Sequence, residues 1–401
     1  MALLAAWAMA APAVAAPARD SAGRSVTFWV PARGGYLAAW REAARRAAAA
    51  HPDLFIAVEP IWADYGARLT LALAEGHGPD LAAVDPPLAA RLAARGWLAE
   101  VSGALQGLRP PAAALVPFTW EGGLYAVPGV ADPAVLYADA GALAAAGLSA
   151  DALDGWEGFL DAARRVASAG VVRWATVFNG WPPLVMFVWQ AGGALLEPAG
   201  HPWSDPAPVA RAARYYRRFV AEGLSPPAPA SWSEPADLPF RRGETALAVG
   251  LLSDPLELPG SPSPFRPGEA MPAPPGPSRR VTVRPVPAGP AGASTYFSVE
   301  GAAAPRPASP LALQALAYLA QALEAMGWQP SLAGRPEALA AAPAATASLR
   351  ALPSHPAFLE FDAAWWQYVV APLLQPGDDV DVDALLARAR PRLVQALASL
   401  P

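Results

Sequence analysis

The sequence predicts an α/β protein built from two domains. Short β-rich runs alternate with helical patterns from Ser25 onward, an order typical of a parallel sheet that is covered by helices on both faces. The chain has 401 residues, more than one hydrophobic core usually serves. Apolar residues make up 54% of it, so each of two domains can bury a core of its own.

The first hundred residues show the alternation of strands and helices most clearly. Runs rich in β-branched and aromatic residues are each followed by a segment in which apolar residues recur at helical spacing. Gly76 and Gly96 come directly after two of these segments, where a glycine commonly ends a helix. The predicted strands are 26–30, 55–61 and 81–84, and the predicted helices are 36–50, 65–75 and 87–95.

The rest of the chain repeats this alternation less regularly. Residues 254–292 are rich in Pro, Gly and Ser, which indicates loops around a strand at 281–286. Further extended runs are predicted at 124–127, 134–137 and 246–252, and helices at 140–146, 156–169, 209–222, 310–326, 358–374 and 382–400.

Charge and cysteine content exclude several classes of function. The formal net charge is −5, whereas nucleic-acid binding needs a concentrated basic face. The chain has no cysteine, so disulfides, thiolate metal sites and a lipid anchor on cysteine are not expected. Asp379, Asp381 and Asp383 precede a helix and lack the glycine and the final glutamate of a calcium loop. No metal or cofactor is therefore expected.

The N-terminus reads as a probable signal peptide over residues 1–18. An apolar stretch of small residues ends in Ala13-Val14-Ala15, a sequence typical of a signal-peptidase cleavage site. The basic residues that usually begin such a peptide are missing, and a buried N-terminal helix is the alternative. No other uncharged apolar run approaches the roughly 20 residues that a membrane span needs.

Several motifs occur in an order that points to one family. They are Trp120-Glu-Gly-Gly-Leu-Tyr-Ala-Val-Pro128, Val135-Leu-Tyr-Ala-Asp139, Trp156-x-x-Phe159, Gln190-Ala-Gly-Gly193 and Phe240-Arg-Arg-Gly-Glu-Thr-Ala-Leu247. In this order the chain resembles the extracellular solute-binding protein family of ABC importers, in its maltose and oligosaccharide branch. The resemblance extends from residue 25 to about residue 395.

The resemblance implies a two-lobed periplasmic-binding-protein fold of type II. Each lobe would have a mostly parallel sheet flanked by helices, and hinge strands would join the lobes around a ligand cleft. The chain would cross between lobes near residues 131, 298 and 350. Lobe one is then expected to comprise 25–131 and 298–350, and lobe two 132–297 and 351–401.

Candidate ligand-binding residues follow the predicted strands of lobe one. Open α/β sheets bind ligands at the carboxyl ends of their strands, and a sugar needs aromatic platforms together with fixed donors and acceptors. The alternatives are a plain turn at the paired glycines, a helix start with its hydroxyl in water at Tyr65, and a helix N-cap at Asp85. The candidates are Trp29, Arg33, Gly35, Tyr36, Asp64, Tyr65 and Asp85.

Further candidates are expected in lobe two and at the hinge. The resemblance implies aromatic platforms at Trp181, which lies between Gly180 and Pro182, and at Trp365 rather than its neighbour Trp366. The remaining candidates are Asn179, Ser253, Asp254 and Tyr296.

The resemblance implies the binding subunit of an ABC importer. It would capture a mono- or oligosaccharide in the periplasm by hinge closure, act as a monomer without a cofactor, and deliver the sugar to the transmembrane permease subunits. Alternatives are a binding protein for glycerol phosphate or a polyamine, a sensor component, and a periplasmic glycoside-acting enzyme that uses Asp64 and Asp85. No other catalytic motif is present, so we expect no enzymatic activity.

Overall fold

A computed structural model describes residues 24–32, 34–177, 181–197, 200–226, 238–252, 280–328, 349–375, 377 and 380–398. The predicted signal peptide over residues 1–18 lies outside these residues. The N-terminal elements are β1 (Ser25–Pro31), α1 (Gly34–Ala50), β2 (Phe55–Ile61), α2 (Tyr65–Ala74), β3 (Leu81–Val84) and α3 (Pro86–Ala94). All six begin and end within three residues of the segments predicted from the sequence.

The central elements are α4 (Ala112–Leu115), β4 (Thr119–Trp120), β5 (Gly123–Leu124), β6 (Val127–Asp139), α5 (Ala140–Ala145), α6 (Gly155–Ala169), β7 (Trp174–Val177), α7 (Trp181–Gln190), α8 (Ala207–Ala221) and α9 (Leu238–Arg241). The later elements are β8 (Thr245–Leu251), β9 (Val281–Arg284), β10 (Thr295–Ala303), α10 (Pro310–Ala325), β11 (Leu349–Arg350), α11 (Phe358–Trp365), a π-helical turn (Trp366–Val370), α12 (Ala371–Leu373) and α13 (Val382–Ala398). Short 3₁₀ turns lie at Ser102–Leu105, Val116–Phe118 and Ala150–Leu153.

One continuous sheet runs through the molecule in the order β2-β1-β3-β10-β6-β8-β7. Strands β1, β2 and β3 are parallel, as the alternation with helices predicts. Strand β10 is antiparallel to β3 and β6 and parallel to the short strand β11, and β8 and β9 are antiparallel to β6. The sheet is therefore mixed, because the strands in its middle, β10 and β6, pair antiparallel with each other and with β3 and β8 on either side.

The long strand β6 links the two halves of this sheet. Its first part, Val127 to Pro133, pairs with β10, and its second part, Ala134 to Ala138, pairs with β8. The sequence predicts two separate extended runs here, but Gly129 and Pro133 do not interrupt the strand. Strand β10 was not predicted as a strand, and neither were β7 and the helix α7.

Large buried side chains form two separate sets of cores. Around β1–β3 and β10, Phe28 and Trp40 are buried on one face of the sheet and Leu92 and Phe118 on the other. The larger core contains Trp156, Phe187, Tyr215, Phe358 and Trp365, among others. We call the part around the first set lobe one and the part around the larger core lobe two. Both lobes keep the α/β class that the sequence predicts.

Candidate ligand-binding cleft

A cavity of about 400 Å³ lies at the carboxyl ends of β1, β2 and β3. Lobe one contributes most of its lining, including Trp62, Asp64, Tyr65, Asp85 and Glu300, and lobe two contributes Leu359 from α11. Parallel strands place the residues that follow them at one edge of the sheet. Three predicted site residues therefore meet here: Asp64 and Tyr65 follow β2, and Asp85 follows β3.

Asp64 and Tyr65 begin α2 directly beside this cavity. The backbone of Asp64 is left-handed, with φ of 49°, and its side chain makes no hydrogen bond to the helix start. This conformation is uncommon for a residue other than glycine. The Tyr65 hydroxyl donates to the carbonyl oxygen of Ala83 at 2.6 Å and lies 3.1 Å from that of Trp29. The alternative for Tyr65, a hydroxyl in water, is therefore wrong, and burial raises its pKa well above the usual value.

Asp85 has two roles in the structure. Its Oδ1 accepts a hydrogen bond from the backbone N–H of Leu88 at 2.9 Å, which makes it the N-cap of α3. The same side chain lines the cavity. The two interpretations of Asp85 from the sequence, helix cap and cleft carboxylate, are thus compatible in one residue.

Trp62 is a cleft residue that the sequence analysis missed. It directly follows β2, lines the cavity and is 50% exposed. A large exposed aromatic ring next to carboxylates offers a flat apolar surface of the kind that sugar C–H faces contact. Its position one residue after a predicted strand was the signal that could have identified it.

Trp29 is positioned differently from Trp62. Its indole Nε1 donates to Glu59 Oε2 at 2.9 Å, across the parallel pair β1 and β2. Its ring is half-buried and packs on the core that contains Leu92 and Phe118. It is not among the residues that line the cavity.

Buried acidic residues lie where the hinge strands meet α1. Asp132 on β6 and Glu300 on β10 are 0% and 3% exposed, and Glu300 also lines the cavity. The Nε1 of Trp40 donates to Glu300 Oε2 at 3.2 Å. Tyr36 is buried as well, and burial together with the charges of Asp132 and Glu300 raises its pKa. An acidic residue inside an apolar strand was the sequence signal for both carboxylates.

Lobe two approaches the cleft through one face of α11. Leu359 lines the cavity, and Asp362 lies three residues later, on the same side of the helix. Burial and the neighbouring charge of Asp85 raise the pKa of Asp362 to about 6. A carboxyl of lobe two is therefore close to a carboxyl of lobe one.

Trp365 does not face the cleft, so this prediction is wrong. The side chain has no exposed surface and packs against Phe361 and Trp203, with ring centroids 6.4 Å and 5.7 Å away. Phe358, Phe361 and Trp365 follow one another at spacings of three and four, so they form the buried stripe of α11. Trp366 lies one position further around the helix and is half-buried.

The other predicted residues divide into two groups. Tyr296 is half-buried on β10 and acts electrostatically on Tyr36 at the hinge, and Gly35 lies in the first turn of α1. Trp181 is the first residue of α7, and nothing is described of its side chain. Arg33, Asn179, Ser253 and Asp254 lie outside the described residues.

A second cavity of about 750 Å³ also lies between the lobes. Phe297 of β10 lines it. Because successive side chains of a strand point to opposite faces, Phe297 lies on the face of β10 opposite to Tyr296 and Ser298. Trp120 and Trp189 add aromatic surface, and the Arg350 guanidinium lies 5.9 Å from the Trp189 ring centroid. Its lining is mainly apolar, unlike the carboxylate-lined cleft.

The described residues contain neither a helix suited to span a membrane nor a cluster of side chains that could hold a metal ion. Over this part of the chain, no helix combines the length and the apolar character that crossing a bilayer requires. The same residues contain no group of three or more His, Asp or Glu side chains placed to hold a metal ion.

Two α/β lobes, strands that pass between them and a polar cavity at the strand ends define a two-lobed ligand-binding protein. The chain belongs to the bacterial extracellular solute-binding protein family, whose model matches residues 42–345. The family predicted from the sequence motifs is thereby confirmed, and it is a family of binding proteins rather than of enzymes. A comparison with curated proteins found no match.

Solved structures of binding proteins share the fold. The GacH receptor of Streptomyces glaucescens, described with acarbose, is 19% identical, with a TM-score of 0.73 over 94% of this chain and 98% of that one. Maltose-bound MalE3 of T. maritima is 19% identical, with a TM-score of 0.71 over 94% and 100%. UgpB of Mycobacterium tuberculosis, in complex with glycerophosphocholine, is 19% identical, with a TM-score of 0.71 over 93% and 98%. The predicted type II fold is confirmed.

Proposed function

We propose that this protein is the substrate-binding subunit of an ABC-type importer and that it captures a carbohydrate. The observation that carries the proposal is the composition of the cleft. Asp64, Asp85 and Glu300 line the same cavity as an exposed aromatic residue, Trp62, at the carboxyl ends of three parallel strands. Carboxylate oxygens accept hydrogen bonds from sugar hydroxyls, and the ring covers an apolar sugar face.

The structural relatives support a sugar over other solutes. GacH is described with acarbose and MalE3 with maltose, whereas UgpB is described with glycerophosphocholine. A phosphate group is best held by arginine or backbone N–H groups. The described residues that line the cleft include no arginine. The lining therefore suits a sugar, as in GacH and MalE3, better than a ligand with a phosphate group, as in UgpB.

Capture would occur by closure of the two lobes. Ligand that contacts both lobes only in the closed form shifts the population toward closure. We place the lobe boundaries at 131/132, 297/298 and 350/351, and the pairing of β6 with β10 and then with β8 supports the first of these. The protein would act as a periplasmic monomer that docks on transmembrane permease subunits, without catalysing a reaction.

A thermal-shift screen tests the proposed ligand class. Ligand that binds only the folded state raises the melting temperature by mass action. Maltose, maltotriose and trehalose are expected to include at least one stabilising ligand, whereas glycerophosphocholine and spermidine are expected to produce no shift. A shift with either of the latter compounds and none with any sugar would replace the sugar assignment. Release of reducing sugar from the oligosaccharides would instead favour a glycoside-acting enzyme.

Matched variants locate the binding site once a sugar is found. Trp62→Ala removes the aromatic platform, and we expect the affinity to fall by about 10-fold or more, since aromatic contacts are strong anchors. Phe55→Ala is the control, because Phe55 is also a large exposed aromatic residue but lies at the other end of β2. Equal affinities of the two variants would place the sugar elsewhere, with the second cavity as the next candidate.

A further inference from the structure

A direct polar link joins the two lobes beside the cleft. Arg91 lies on α3 in lobe one, and its Nε donates to the carbonyl oxygen of Pro356 at 3.2 Å. Its Nη2 forms an ion pair with Glu360 in the first turn of α11. The side chains of Arg91 and Glu360 are 14% and 33% exposed.

The two partners of Arg91 belong to the core of the other lobe. Pro356 precedes Ala357 and Phe358, which are buried in the large core of lobe two. Leu88 and Leu92, on either side of Arg91 along α3, are buried in a core of lobe one. A planar guanidinium that contacts two groups at once restricts both distance and angle. Partial burial also reduces the screening that weakens exposed ion pairs.

This link lies next to residues that form the walls of the cleft. On α3, Asp85 and Leu88 line the cavity, and on α11 the neighbour of Glu360, Leu359, lines it from the other side. The separation of α3 and α11 therefore sets the width of the cleft. A rotation that moves the two helices apart has to break both bonds of Arg91.

We propose that Arg91 is a positioning residue that latches lobe one to lobe two and so holds the two walls of the cleft at binding distance. It does not contact the ligand itself. The proposal concerns the equilibrium between lobe arrangements and goes beyond the proposed function, because it holds whatever ligand the cleft takes. Loss of the latch lowers the fraction of molecules with both walls in place, and the apparent affinity falls in proportion to that fraction.

Distances between spin labels measure this equilibrium without any ligand. The chain contains no cysteine, so labels on Leu71→Cys in lobe one and Val171→Cys in lobe two are the only reactive positions. Both residues are exposed, at 60% and 49%. In the parent protein without ligand we expect a main distance from the latched arrangement and a minor second population with the lobes further apart, which bound ligand would convert to the latched one. Arg91→Ala is expected to broaden the main distance and to raise the second population to about two thirds or more, the share that a 3- to 10-fold loss of apparent affinity requires.

The control is another arginine–glutamate ion pair, one that lies within a single lobe. Arg164 donates to both carboxylate oxygens of Glu222, at 2.7 and 2.8 Å, entirely within lobe two. Arg164→Ala is expected to leave the label distances unchanged. The double variant Arg91→Glu with Glu360→Arg restores an ion pair in reversed order, and it is expected to narrow the distribution again.

An unchanged label distance in Arg91→Ala, or the same broadening in Arg164→Ala, would overturn the latch. If Arg91→Ala does not fold, Glu360→Gln removes the charge of the partner and keeps the Pro356 contact, and we then expect a smaller broadening. Because these distances are measured without ligand, they are independent of whether the cleft binds sugar. Affinity for maltose, if the screen finds maltose to bind, should fall about 3- to 10-fold in Arg91→Ala.

Discussion

The two walls of the cleft differ in how far the sequence predicts them. The lobe-one wall contains Asp64, Tyr65 and Asp85, all of which were identified from their positions after strands. On the lobe-two wall, the described residue that lines the cavity is Leu359, with Asp362 on the same side of α11, and neither was identified. The aromatic residue expected there, Trp365, is buried in the core.

The difference comes from how strands and helices present side chains. In a parallel sheet, every loop that follows a strand reaches the same edge, so the end of a strand is enough to place a residue in the cleft. On a helix, neighbouring residues point about 100° apart, so the rotation of the helix about its axis has to be known. The aromatic residues of α11 show which face is apolar, and that face proved to be the core.

The largest expected effect separates a core tryptophan from a cleft tryptophan. Trp365→Ala leaves a cavity in the core of lobe two and is expected to lower the free energy of unfolding by about 3–5 kcal/mol. Trp62→Ala removes a half-exposed ring and is expected to change it by about 0.5 kcal/mol or less. Chemical denaturation of both variants measures this. Similar losses in the two variants would mean that Trp62 is also a core residue.

The same contrast explains how much of the fold could be predicted. Strand β2 and strand β3 were predicted with the bounds that the structure shows, because composition and turn residues mark both ends. Strand β10 was missed, since Glu300 interrupts its apolar run and its partners β3 and β6 are distant in sequence. The buried carboxylates depend on such long-range pairing, so they were not predicted as part of the site.

A second prediction concerns the lobe-two carboxyl that faces Asp85. The pKa of Asp362 is about 6 in the folded protein, against a usual value of 3.8. The folded state therefore binds the proton more tightly than the unfolded chain does. Protonated Asp362 therefore stabilises the folded state. This contribution is fully present below about pH 4 and is lost as the pH rises through about 6.

Asp362→Asn removes this pH dependence. Above pH 6 the variant is expected to be more stable than the parent protein by about 2 kcal/mol, a value reduced from the full shift because the group is partly exposed. At pH 4 the two proteins should be alike. Asp151→Asn is the control, since Asp151 has 84% of its side chain exposed. Equal pH profiles of the parent and Asp362→Asn would show that Asp362 keeps an ordinary pKa.

The smallest expected effect compares one helix cap from each lobe. Asp85 caps α3 through Leu88, and Asp139 caps α5 through the N–H groups of Gly141 and Ala142, at 2.8 and 3.1 Å. Replacing either by Ala is expected to lower the free energy of unfolding by about 1 kcal/mol.

The two caps differ in their expected effect on binding, because of the two only Asp85 also lines the cleft. Only Asp85→Ala should therefore weaken sugar binding, which calorimetry with the sugar found in the screen measures. Asp85→Asn keeps a capping oxygen but removes the charge, so it should retain stability and still bind more weakly. If both Ala variants lost affinity equally, the carboxylate of Asp85 would act through the stability of its helix and not through contact with the ligand.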